Sequence, residues 1–242
     1  MKNLIRSLLG DKILGMLDFY RYPSWKKSWG GYANGAFNGQ KFRCKIFSDL
    51  VNAFEFKAIF ETGTFHGSTT EFMTTLTKSP IFTVEGQERT FGYCCARFWN
   101  NKQVNLFYGD SRKFLKQQLY SQSLEDVPIF LYLDAHWNED LPLLEEIEII
   151  LDARVNAVIM IDDFQVVNDS GYIFDDYGLS KSLTVDYLSP FKHKITPFFP
   201  NCPSSEETGA RKGCVVLGTN EEVTGILKDI KTLSMDTEFN KS

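Results

Sequence analysis

From Ala58 onward the chain alternates short runs that are apolar at nearly every position with segments whose apolar residues recur at helical spacing. The runs predict strands at AIFE (58–61), IFTVE (81–85), VNLFY (104–108), IFLYLD (129–134) and AVIMID (157–162). The intervening patterns predict helices over 68–76, 88–99, 111–119, 141–152 and 179–188, with Pro142 in a first turn, where proline is tolerated. ITPFF (195–199) and CVVLG (214–218) read as two closing strands joined by a polar link, 200–213, expected to be mobile. Strands that alternate with helices predict a parallel sheet covered on both faces. Continuous apolar runs fit strands buried on both sides. No helix separates the last two strands, so one of them should run antiparallel. The expectation is a three-layer α/β fold with a mostly parallel seven-stranded sheet and an antiparallel last strand.

The N-terminal segment is apolar at Leu4, Ile5, Leu8, Leu9, Ile13, Leu14 and Leu17, again at helical spacing. Asp11 and Lys12 interrupt any signal-peptide core. The helix is open to three uses: capping the domain, packing on a twin subunit in a homodimer, or lying on a membrane surface. No apolar run reaches the ~18–20 residues of a transmembrane helix. An irregular lead-in rich in Tyr, Trp, Gly and Lys follows, so the expected plan is 1–45 helix and lead-in, 46–220 α/β domain, and 221–242 C-terminal helix or tail.

The 242 residues carry a net charge of −5 and no long basic run, which argues against nucleic acid as a partner. The five cysteines form no CxxC, which fits a reduced, cytoplasmic protein without a thiolate metal site.

The chemistry concentrates at strand ends. In FETGTFHGSTT (60–70), Gly63 allows a sharp turn, Gly67 lets the next helix begin close to a ligand, and Ser68 and Thr69 suit a helix N-terminus. A dinucleotide fingerprint would need glycine at 65 and 68, where Phe65 and Ser68 stand, so a ligand held without a pyrophosphate cradle is favoured. Glu85 ends the next strand, where an acid can accept both hydrogen bonds of a ribose diol. Asp110 ends the third.

The combination of E-T-G-T-F-H-G-S-T, Glu85 and Gly109-Asp110 resembles the S-adenosylmethionine (SAM) site of class I methyltransferases, whose fold is Rossmann-like. The resemblance implies that Glu61, Gly63, Thr64, Phe65, Gly67, Ser68 and Thr69 surround the methionine part. Glu85 with Gly86 would hold the ribose, Asp110 with Ser111 would flank the adenine, and Asp134 with Ala135 would complete the wall.

A second constellation lies in LYLDAHWNEDLP and AVIMIDDF. Asp134 ends the fourth strand, and Asp162 and Asp163 end the fifth. Adjacent strands lie ~4.8 Å apart, so these carboxylates can converge, and converging carboxylates call for a cation. Oxygen ligands suit Mg²⁺ or Ca²⁺. Asp163 as a cap of the following segment is the plain alternative. The stretch resembles metal-dependent O-methyltransferases of the catechol and macrolide-sugar types, which implies Mg²⁺ on Asp134, Asp162 and Asp163. Catechol enzymes carry a lysine base shortly after the first aspartate. None lies in 134–140 here, so His136 is the candidate base, with a structural or SAM-contacting histidine as the alternative. The expected function is SAM-dependent, Mg-assisted O-methylation of a small hydroxylated molecule, a sugar or diol. The rivals are a nucleotide-cofactor oxidoreductase on a doubly wound sheet and a non-catalytic SAM-fold binding module.

Overall fold

The computed structural model describes residues 9–23, 35–122, 124, 127–135, 140–178 and 181–239. The expected strands form as β1 (Ile59–Thr62), β2 (Ile81–Glu85), β3 (Val104–Tyr108), β4 (Pro128–Leu133), β5 (Asn156–Asp162), β6 (Thr196–Pro200) and β7 (Cys214–Gly218), followed by a short β8 (Leu233–Met235). The helices are α1 (Asp11–Arg21), α2 (Lys41–Ala53), α3 (Ser68–Leu76), α4 (Glu88–Arg97), α5 (Ser111–Ser121), α6 (Leu143–Asp152) and α7 (Glu221–Lys228).

The sheet order is β3-β2-β1-β4-β5-β7-β6-β8. Strands β1 to β5 pair in parallel, and β7 inserts antiparallel between β5 and β6. The seven-stranded expectation with an antiparallel last strand therefore holds, with β8 added antiparallel on the outer edge of β6. Three residues are too few to register as a period-2 pattern, so β8 is silent in the sequence. The chain leaves β1 toward β2 on one side and returns as β4 on the other, which makes the β1/β4 boundary the switch point where such sheets open a crevice.

Alternate strand residues feed two cores. Phe60, Leu131, Ile159 and Val215 pack under α5 and α6, against Phe114, Leu115 and Ile147. Ile59, Phe130, Val158 and Val216 pack on the other face against Ile46, Phe47 and Leu50 of α2, Met73 of α3 and Leu227 of α7. Burial on both faces is why these strands lack alternation.

Two helical expectations are corrected. The 179–188 helix is a 3-10 turn at Val185–Phe191, where Pro190 removes a backbone donor that a longer α-helix would need; residues 179 and 180 lie outside the described part. Conversely, α2 rises inside the stretch expected to be irregular and crosses the 45/46 boundary. Its buried face is Arg43, Ile46, Phe47 and Leu50, at i, i+3, i+4 and i+7. A charged residue in the leading position hides the stripe from a hydropathy reading.

At the N-terminus, α1 crosses α4 at close range. A Cβ on Gly15 would sit 1.8 Å from the Arg89 carbonyl oxygen, and one on Gly92 would sit 2.0 Å from that of Lys12, so both glycines are needed for the approach. Buried Asp18 of α1 accepts from Arg89 Nε of α4 at 2.7 Å. Among the described residues no helix is long and apolar enough to cross a membrane.

Candidate functional site

A cavity of about 1200 Å³ opens at the carboxyl ends of β1 to β5, larger than the ~300–1,000 Å³ of ordinary small-molecule sites. One half is built by β1 to β3 and the turns that follow them. Gly63 adopts φ 88, and a Cβ there would lie 2.2 Å from the Asp134 carbonyl oxygen, so the β1 turn closes tightly on β4 only with glycine. Glu85 is 7% exposed and lines the cavity from the tip of β2. Its two carboxylate oxygens accept from Phe65 N and Gln87 N, each at 2.8 Å, which locks it between the two glycine turns. Burial raises its pKa, and these backbone donors oppose the rise. Gly86 and Gly109 present bare backbone to the cavity; no atom comes within 4 Å of where a Gly109 Cβ would stand. The exposed ring of Tyr108, braced by Phe91 at 5.3 Å, adds a flat apolar face.

Glu61 does not line this cavity. It is buried beneath the β1 turn, where Oε2 accepts from Thr70 Oγ1 at 2.5 Å and Thr83 Oγ1 at 2.6 Å. Burial pushes it up to about 7. The Thr64 hydroxyl joins Thr83 at 2.6 Å, and Thr69 Oγ1 accepts from Phe37 N at 3.0 Å. Gly67 starts α3 at φ 76, and a Cβ there would strike the Phe98 ring at 2.5 Å, so Gly67 serves helix packing. Ser68 opens α3 and, like Thr64, Gly67 and Thr69, lies away from the cavity wall. Asp110 lines the cavity with Ser111 while capping α5, accepting from Lys113 N at 3.1 Å. The Arg112 guanidinium beside it holds its carboxyl below the usual range. His66 also faces the cavity, between Phe65 and Tyr93; burial and Arg97 push its imidazole down to about 4, so it is neutral.

The other half is built by β4, β5 and segments distant in sequence. Asp134 and Ala135 follow β4 and line the cavity, as do Asp163, Asp175 and Tyr177. Asp163 sits at φ 52, a left-handed conformation that non-glycine residues rarely adopt. Asp162 is fully buried, with partners on both oxygens. Oδ1 takes Arg43 and the Asp163 N–H (2.7 Å); Oδ2 takes the Tyr132 hydroxyl and Asn38 Nδ2 (3.3 Å). Lys212 Nζ lies 3.3 Å from Asp163 Oδ2 and also contacts Asp175, whose Oδ2 accepts from the Tyr177 hydroxyl at 2.8 Å.

No protein-family model matches this chain, and a search of the curated proteins finds no match. Solved structures do match. An O-methyltransferase from Bacillus cereus, in complex with SAH, shares 16% identity over 88% of this chain and 92% of its own, with a TM-score of 0.55. SAH-bound methyltransferase from Podospora anserina shares 15% over 86% and 88%, TM-score 0.54. The O-methyltransferase TomG from Streptomyces achromogenes, involved in tomaymycin synthesis and solved with SAM, shares 14% over 88% and 91%, TM-score 0.53.

The chain has the class I methyltransferase fold.

Within that fold, the metal expectation for Asp134, Asp162 and Asp163 does not fit the donors present. Among the described residues no cluster of three His, Cys, Asp or Glu side chains is arranged to hold an ion. The physical reason is Asp162. It does not line the cavity, and its oxygens are committed to an ion pair with Arg43 and to hydrogen bonds within a buried network. Asp163 meanwhile faces an ammonium. His136 and its neighbour Trp137 lie outside the described residues.

The residues that complete this half escaped the sequence reading. Arg43 fell in the stretch read as an irregular lead-in, and Lys212 in the link expected to be mobile. That link is instead tied down. Gln40 brackets the Lys212 backbone, donating to its carbonyl at 2.7 Å and accepting from its N–H at 2.8 Å. Glu207, 4% exposed, accepts from Phe42 N at the start of α2 rather than reaching the cavity. The usable signal was the amphipathic spacing of α2 with arginine in a core position.

Proposed function

We propose that the protein transfers the methyl group of SAM to an oxygen of a small hydroxylated molecule, a sugar or diol. The observation that carries this is Glu85: a nearly buried carboxylate, fixed by two backbone donors at the tip of β2, facing a cavity walled by the bare backbone of Gly63, Gly86 and Gly109. A carboxylate offers about four acceptor sites, so Glu85 retains acceptor capacity beyond its backbone donors, which matches a ribose hydroxyl. The wide, flat Tyr108 side suits a purine, and Asp110 and Ser111 stand beside it.

When bound, SAM supplies a methyl group already activated by a sulfonium. The chain supplies position and a place for the proton. Holding an acceptor oxygen in line with the methyl can account for several of the ~7–11 kcal/mol available to well-oriented reactants. Asp134 borders the cavity while surrounded by protein. Burial, with Asp163 nearby, raises its carboxyl well above the ordinary range, which strengthens it as a proton acceptor relative to an ordinary carboxylate. His136, two positions on, is the general base that the sequence nominates.

The test is calorimetry with S-adenosylhomocysteine and with NAD, followed by incubation with methyl-labelled SAM and a panel of sugars, diols and phenols read by mass. One-to-one S-adenosylhomocysteine binding that Glu85→Ala weakens supports the proposal. Binding of NAD with none of S-adenosylhomocysteine overturns it in favour of an oxidoreductase, and SAM binding without transfer to any class points to a binding module.

A further inference from the structure

The end of the cavity beyond β4 and β5 gathers four aspartates, at 134, 162, 163 and 175, and two cations, Arg43 and Lys212. The cations come from opposite ends of the chain and are held together. Arg43 Nη2 donates to the carbonyls of Lys212 and Gly213, the latter at 2.8 Å, while Nη1 pairs with Asp162. Arg43 is 1% exposed, and Lys212 stands half-buried between Asp163 and Asp175. Burial disfavours the Lys212 ammonium, but the two carboxylates outweigh it and raise its pKa, so it is charged at neutral pH. Together the two side chains carry two positive charges, as a divalent ion would.

Taking methyl transfer as the reaction, we propose that Arg43 and Lys212 stand in place of a divalent ion, so that the acceptor end is electrostatically complete without metal and Lys212 acts as a positioning residue. Asp162 is closed to any ion by its four partners. Lys212 fixes two of the carboxylates that line the cavity, Asp163 and Asp175, and through Asp175 the Tyr177 hydroxyl. Acceptor hydroxyls then meet a preset row of two carboxylates and a phenol. Because the ammonium is compact and multidentate, it can bridge both carboxylates as an ion does. A neutral residue at 212 would leave like charges facing one another, and that arrangement draws a cation from solution.

The experiment uses the full chain dialysed against EDTA, with Mn²⁺ as probe and the loss of its free aqueous resonance as readout, alongside S-adenosylhomocysteine calorimetry on the same sample. The wild-type protein is expected to leave millimolar Mn²⁺ free and to bind S-adenosylhomocysteine equally well with or without it. Lys212→Met is expected to bind Mn²⁺ at least about tenfold more tightly than wild type, and Lys212→Arg to stay at the wild-type level. Stoichiometric Mn²⁺ binding by wild type, abolished by Asp163→Asn, overturns the proposal and needs no folded Lys212 variant. A folded Lys212→Met that gains no affinity removes Lys212 from it. Failure of S-adenosylhomocysteine to bind would defeat the functional proposal instead, and the Mn²⁺ result would still stand as a statement about the cluster.

Discussion

The two halves of the cavity are assembled in opposite ways. On the β1–β3 side, the decisive contacts join residues close in sequence: Phe65 to Glu85 across 20 positions and Thr83 to Glu61 across 22. On the β4–β5 side they join Asn38 to Asp162 across 124 positions, Arg43 to Gly213 across 170 and Gln40 to Lys212 across 172. The first half is backbone geometry from consecutive strand–turn–helix units, with carboxylates held by N–H and threonine hydroxyl donors. The second is a buried charge network that exists only once α2 and the β6–β7 link have docked. A site built locally keeps a recognisable motif, whereas a site built at long range does not.

That contrast can be broken most forcefully at Arg43. Arg43→Met leaves Asp162 charged, buried and short of its main partner, and is expected to cost about 3–5 kcal/mol, read as a lower urea midpoint. An equally stable variant would mean that the network does not hold the second half together. Glu85→Ala should act on binding instead: loss of two charge-assisted acceptor sites predicts about 100-fold weaker S-adenosylhomocysteine binding with a small change in unfolding midpoint. Next comes Glu146, on the buried face of α6, whose carboxyl burial pushes up to about 7 against the opposing Ser111 and Thr62 hydroxyls. A raised carboxyl favours the fold fully below its ordinary value of about 4.5 and loses that contribution as pH climbs through 7. Glu146→Gln should therefore match wild type near pH 5 and exceed it by up to about 3 kcal/mol at pH 8 in urea titrations at the two pH values. The smallest effect belongs to the rim. Asp140→Asn removes one exposed pairing with Arg112, at 3.0 Å, and should shift stability by less than about 0.5 kcal/mol.

The same contrast explains what could be read from the chain. β1 to β7 and helices α3 to α6 announce themselves because each is a local pattern with its own punctuation. Glu85, Gly63 and Asp110 were legible because they sit at strand ends, where position alone implies a ligand. Glu61 shares that position but points down, into Thr70 and Thr83, and strand-end spacing does not say which way a side chain turns. The metal expectation leaned on the same strand-end reasoning, and it finds no matching cluster of ligands among the described residues. Three acids at adjacent strand ends call for positive charge, and the sequence could not show that Arg43 and Lys212, far away along the chain, pair with Asp162 and Asp163.

The central claim is that the β1–β4 trough binds an adenosyl cofactor and does so without a divalent ion. Calorimetric titration of S-adenosylhomocysteine into the protein in EDTA-containing buffer tests it directly. The account predicts one site per chain in the micromolar range, unchanged when Mg²⁺ replaces the chelator. No heat in either buffer, or binding that appears only with Mg²⁺, would contradict it.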